Sequence, residues 1–255
     1  MESAPCRAGK ADMSIEKLLS AWMVSYLTEE LPANTRRIPR DPGHLLRNLE
    51  PGDVLLVEGR ARISQVIMYL TQSSWSHAAM YVGDALLRWG GPAAEAALER
   101  YGPEARHLLV ESDLREGVIA VPLAKYAGSN LRICRPHGLN SEGLERVLAE
   151  LFRHLGLRYD RRNVLDLARY LIPFQLLPRA LRRRPLYLGS SDSREVICSA
   201  LLAKAFYKAD FPIQPLDPGP SPPGKALVQR HPSYIMPRDF DLSPYFEVRK
   251  AGLLA

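Results

Sequence analysis

The chain reads as an α+β protein: a mostly antiparallel sheet with helices packed against it, not a run of alternating βαβ units. Three observations predict this. Short apolar runs bounded by turn residues recur between residues 54 and 135. Two longer segments, 14–31 and 141–155, carry apolar residues at helical spacing on one face. A third apolar segment, Val196 to Ala203, starts strand-like and turns into a helix.

In order along the chain, Ile15, Leu18, Leu19, Trp22, Met23, Tyr26 and Leu27 mark the first helix. Ser14 is its expected N-cap, and Pro32 and Asn34 end it. A polar, proline-containing linker (Pro32 to Pro42) follows, so residues 1–40 are expected to form a helix and linker ahead of a main domain at 41–250. Pro51-Gly52 reads as a tight turn feeding a buried strand, Val54 to Val57. Ile63 to Leu70 has helical periodicity, and Ser76 to Asp84 reads as a strand ending in a Gly-Asp turn. Residues 85–106 are rich in Ala, Gly and Arg and read as a long loop or short helix. Strands are expected at 107–111, 117–121 and 131–135. Ser141 to Leu155 is an amphipathic helix stopped by Gly156. An apolar segment broken by Pro173 and Pro178, then Arg179, Arg182, Arg183 and Arg184, forms an insertion at about 161–193. A Pro/Gly-rich loop (Pro212 to Gly224) and a final strand, Tyr245 to Val248, close the domain.

Composition narrows the functional classes. The 255 residues suffice for a full core, and 46% hydrophobic with 24% charged residues is ordinary for a soluble globular chain. Three cysteines are too few for a disulfide framework, and no C-x-x-C or paired-His spacing joins them, so no metal or other cofactor is expected. No secretory or membrane-spanning pattern is present, which predicts a cytoplasmic location. The net charge of +6 permits an anionic partner, but no zinc-finger or RNP-type pattern accompanies it, so nucleic acid is not expected. Residues 164–184, apolar and then basic, suit peripheral contact with an anionic membrane, against the plainer reading of a cap over the protein's own core.

Cys198 is the candidate nucleophile. A thiol on the first turn of a helix meets unpaired N–H groups and the positive end of the helix dipole, and both favour thiolate. Such a nucleophile needs a base, a group to orient the base, and donors for the oxyanion. Among the six histidines, His77 starts a strand after a polar Ser-Ser-Trp-Ser approach, and His107 competes because it too starts a strand. Glu111 ends an apolar strand pattern. It orients His77 if the two strands are neighbours; otherwise it is the first exposed residue after a strand.

Several blocks together resemble the circularly permuted papain-like cysteine hydrolases, the YiiX-like group related to the NlpC cell-wall peptidases. They are Pro51-Gly52-Asp53-Val54-Leu55, Ile63 to Ile67, Thr71 to His77, Tyr159-Asp160, Val196-Ile197-Cys198-Ser199, and Met236 to Phe240. The resemblance spans roughly residues 45–248. It implies a permuted papain-like, NlpC-type fold, with the sheet packed on the cysteine helix. It implies Cys198 as nucleophile, His77 as base and then acid, and Glu111 as orienting group, in that family's order of His, acid and Cys. Ser76 and Tyr159 become substrate-contact candidates, and Asp53 a turn-stabilising residue. Ala200 departs from the family, whose members often carry Glu two residues after the cysteine. The implied reaction is cleavage of an amide, peptide or N-acyl, in a small peptide or acylated substrate, through a thioester. The alternatives are a lipid acyl hydrolase or acyltransferase at a membrane surface, as in the similar lecithin:retinol acyltransferase, and a catalytically silent binding module.

Overall fold

The structure, a computed structural model, describes residues 25–31, 42–157, 198–215 and 229–250. Its elements, in order, are α1 (Pro42–Asn48), β1 (Val54–Glu58), α2 (Arg62–Thr71), β2 (His77–Gly83), α3 (Ala85–Trp89), α4 (Pro92–Tyr101), β3 (Leu108–Asp113), β4 (Gly117–Pro122), β5 (Asn130–Pro136), α5 (Ser141–His154), α6 (Cys198–Lys208), α7 (Pro237–Asp241) and β6 (Phe246–Lys250). The six strands form one sheet in the order β4-β3-β2-β1-β5-β6, and every ladder is antiparallel. The α+β expectation therefore holds.

Strand period sorts the apolar residues onto two faces. Val54, Leu56, Ala78, Met80, Val82, Leu108 and Val110 meet Val147 and Leu151 of α5 and Leu201, Leu202 and Phe206 of α6. Leu55, Val57, Ala79, Tyr81, Leu109 and Ile133 pack on the other face with Leu45, Leu49 and Leu123. The sheet is thus buried on both sides, which is why its central strands read as continuous apolar runs. Helix α6 is buried nearly all round, from Cys198 through Ala203 and again at Ala205 and Phe206. Each large apolar side chain sunk there contributes about 1.5–3 kcal/mol. Ala200 is one of these core residues, 1% exposed.

The turn into β1 needs its glycine. Gly52 has φ +99°, and a Cβ there would lie 2.8 Å from Leu144 Cδ1. Asp53 is buried beside it. Its carboxylate accepts from the Glu50 N–H at 2.8 Å and from Arg135 Nε and Nη2 at 2.8 and 2.7 Å. This bidentate pair ties the turn to β5.

Two expectations need correction. Residues 85–106 are not a long loop: they form α3, α4 and a 3-10 turn, with Gly90 and Gly91 at positive φ between the helices and Pro92 on the first turn of α4. The first helix, expected to run through Leu31, ends at Thr28 within the described residues. Beyond it Glu30 bridges to Ala61, with Leu31 N–H to Arg60 O at 3.0 Å and Arg62 N–H to Glu29 O at 3.2 Å. Pairing with that exposed backbone wins over helical continuation. The 161–193 insertion and most of the 212–224 loop lie outside the described residues.

Candidate active site

The site is assembled from two strands, one turn and one helix start. In the β2–β3 ladder Met80 faces Val110 and Tyr81 faces Leu109. Continuing that register places Glu111 diagonally across from His77 on one face of the sheet, within reach of long side chains. His77 Nε2 and Glu111 Oε2 are 3.1 Å apart. Helix α6 packs on β2 and β3. Its first residue, Cys198, is hydrogen-bonded and electrostatically coupled to His77, and its sulfur accepts from the backbone N–H groups of Ala78 and Ser199. With Nε2 engaged by Glu111, Nδ1 is the ring nitrogen left for the sulfur.

Ser199 fixes the helix start: its hydroxyl donates to Ile235 O at 2.5 Å in the core. That bond links the position of Cys198 to the segment that leads into α7.

Burial differs sharply among the three. Glu111 is 1% exposed, Cys198 7%, and the His77 side chain 22%. Burial alone would raise the Glu111 carboxyl, but hydrogen bonding and charge from His77, then from Lys125, hold it at about 2. For His77, burial pushes downward, yet the charge and hydrogen bond of Cys198 and those of Glu111 raise it to about 10. Burial likewise opposes the Cys198 thiolate. The His77 charge and hydrogen bond, helped by the two backbone donors, bring the thiol below its ordinary value. All three directions favour a thiolate beside an imidazolium, backed by a carboxylate.

Two partners were not anticipated. Lys125 Nζ is ion-paired to Glu111 Oε1, and the Tyr126 hydroxyl donates to Glu111 Oε2 at 2.5 Å. Both sit on the 3-10 turn Leu123–Tyr126 after β4. Their only mark in the sequence is position: two polar residues where a hairpin's second strand ends.

A cleft of about 280 Å³ opens over the cysteine. Val57, Ile63 and Ile67 supply its apolar side, and Thr28, Glu30, Arg60, Asp113 and Lys125 its polar rim. Ser76 also lines it. The Ser76 hydroxyl accepts from the Gly59 N–H at 2.9 Å and lies 3.4 Å from Val57 O. A Cβ on Gly59 would fall 2.7 Å from that hydroxyl oxygen and 2.3 Å from the Ser64 hydroxyl oxygen. Tyr159 lies outside the described residues. His107 is elsewhere, with its Nδ1 2.9 Å from the Tyr81 hydroxyl. Cys134 is fully buried in β5, and burial, then the charge of Asp241, pushes its thiol well up. Among the described residues, no group of three or more His, Cys, Asp or Glu could hold a metal ion. No helix among them is long and apolar enough to cross a membrane.

Residues 48–170 match the family model described as permuted papain-like amidase enzyme, YaeF/YiiX, C92 family. The matched stretch contains His77 and Glu111 and stops short of Cys198. The solved structure of the metalloprotein yiiX from Escherichia coli O157:H7 overlays with a TM-score of 0.49 and 17% sequence identity, over 80% of this chain and 98% of that one. No curated protein matches the chain in sequence.

Proposed function

We propose that this chain, a permuted papain-like protein of the YiiX-like kind, is a cysteine hydrolase that cleaves an amide bond with Cys198 as nucleophile. One observation carries the reading: Cys198, His77 and Glu111 meet at the base of one cleft, with the thiol lowered and the imidazole raised. A buried structural thiol is pushed the other way, as Cys134 is.

The Cys198 sulfur attacks the substrate carbonyl carbon, and the C=O π pair moves onto oxygen. The Cys198 backbone N–H, at the first turn of α6, donates to that oxyanion. On collapse the C–N bond breaks, and the departing nitrogen takes the proton from the His77 imidazolium. A thioester and a neutral His77 remain. His77 then accepts a proton from water, the resulting hydroxide attacks the thioester, and the acid leaves as the thiolate–imidazolium pair re-forms. Glu111 keeps the ring oriented and stabilises its charged form without taking the proton, since its own carboxyl is held at about 2.

Alkylation by iodoacetamide at pH 6, followed site by site with mass spectrometry, tests this. Cys198 should react and Cys134 should not. His77→Ala should slow Cys198 by about a hundredfold, because an ordinary thiol of pKa about 8.5 is under about 1% ionised there. Hydrolysis of a panel of small peptide amides should be lost in Cys198→Ala. An unchanged alkylation rate in His77→Ala would overturn the ion pair and, with it, the proposed nucleophile.

A further inference from the structure

The cleft has a wall that the papain-like core does not supply. Residues 25–31 precede the family-matched stretch, yet Thr28 and Glu30 line the cavity over Cys198. The segment runs from one rim to the other. At one rim Glu30 bridges Ala61 and is ion-paired with Arg60 at 2.9 Å. There, too, Arg62 pairs with Glu29 at 3.1 Å and stacks over the Tyr26 ring at 4.4 Å. At the other rim Arg115, on the β3–β4 turn, donates from Nε to the Thr28 hydroxyl at 2.9 Å. Leu27, 1% exposed, pins the middle of the segment.

Val57, Ile63 and Ile67 give the same cleft an apolar lining, and Cys198, His77 and Glu111 line it too. An acyl group delivering its carbonyl to Cys198 through this cleft meets both the strap residues and the apolar lining. We propose that residues 25–31 are the specificity-determining wall of the cleft, with Thr28 and Glu30 limiting the substrate to slim acyl groups with an apolar body. The proposal rests on the thiol-hydrolase reading and adds the class of acyl donor to it. The ties holding the strap are exposed ion pairs, a cation–π contact and one hydroxyl hydrogen bond. Such ties are individually weak, so the wall can be loosened without dismantling the core.

The test compares Cys198 alkylation by iodoacetamide and by a bulky pyrenyl iodoacetamide in the full-length protein. The wild type should take the bulky reagent at least about tenfold more slowly, relative to iodoacetamide, than free glutathione does. In Arg62→Ser/Arg115→Ser that discrimination should fall to within about twofold of glutathione, with the iodoacetamide rate unchanged. Thr28→Trp, which narrows the slot, should strengthen it. Near-ultraviolet circular dichroism checks that each variant keeps its tertiary packing, and Thr28→Trp alone suffices if the double variant does not. Equal discrimination in wild type and variants, or none in the wild type, overturns the wall. Failure of the underlying nucleophile is separate, because then the iodoacetamide rate itself ceases to depend on His77.

Discussion

Replacing Glu111 with Gln keeps the side chain's shape and removes its charge. The effect can be sized from the folded protein. The Glu111 carboxyl is held at about 2 against an ordinary 4.5, a gap of about 2.5 pH units. At 1.36 kcal/mol per unit, the folded state favours the carboxylate by about 3 kcal/mol. The group is almost wholly buried, so little of that is lost to solvent. The same His77–Glu111 contact helps raise His77, so its effect on the histidine is not an additional contribution. The direction follows from linkage. Above pH 4.5 both folded and unfolded chains carry the charged form, and the full stabilisation is present. Below 4.5 the unfolded chain takes up a proton that the folded one refuses until about 2, so stability drains away across that window. Glu111→Gln has no such group. Urea unfolding followed by circular dichroism at intervals from pH 7 to pH 2.5 should show the variant weaker by up to about 3 kcal/mol at pH 7. The gap should close steadily below pH 4.5, and the subtraction removes every other carboxylate common to both proteins. A constant difference at all pH values would refute the claim that Glu111 is held as a buried carboxylate by its partners.

The pH dependence of hydrolysis should show an acid limb below the ordinary thiol value of about 8.5 and a fall near pH 10, where His77 loses its proton; both limbs belong to the coupled pair. An acid limb at about 8.5 would mean an unactivated thiol. Tyr126→Phe removes a hydroxyl donor from the buried Glu111 and should cost about 1–3 kcal/mol in chemical denaturation, an unchanged midpoint showing the hydroxyl to be dispensable. Gly52→Ala forces a Cβ against Leu144 at positive φ and should destabilise by about 1–3 kcal/mol, seen as a lower Tm; an equal Tm would mean the turn relaxes freely.

Sequence reading succeeded where local physics is enough. Val54 to Val57 and Leu108 to Val110 are apolar runs between turn residues, and they are strands because both sheet faces are covered. His77 and His107 both start strands, and pattern alone leaves both open; the fold brings His77 to Cys198 and leaves His107 beside the Tyr81 hydroxyl. The meeting of His77 and Glu111 depended on β2 and β3 being neighbours, which only the ladder supplies. Lys125 and Tyr126 were missed because a residue reaches Glu111 from them only after the β3–β4 hairpin has folded back. Thr28 and Glu30 were missed for a related reason: the helical pattern through Leu31 hid the break at which the chain leaves its helix to pair with the Arg60–Arg62 edge. Alanine and glycine at 85–106 blurred the periodicity of two real helices.

Helix α6 fills the core, yet it follows five of the six strands among the described residues. On a ribosome, the sheet residues Val54, Leu56, Met80 and Val110 are therefore made long before Leu201, Leu202 and Phe206 arrive to cover them. Their partners are distant in sequence, so closure comes late and carries the entropy of a long loop. Synthesis halted before Cys198 leaves an apolar sheet face half dressed, the kind of surface that holding chaperones recognise and that aggregates without them. His77 and Glu111 emerge together in such a fragment and the thiol does not. The covering of that sheet face and the arrival of Cys198 are one event, brought about by one helix.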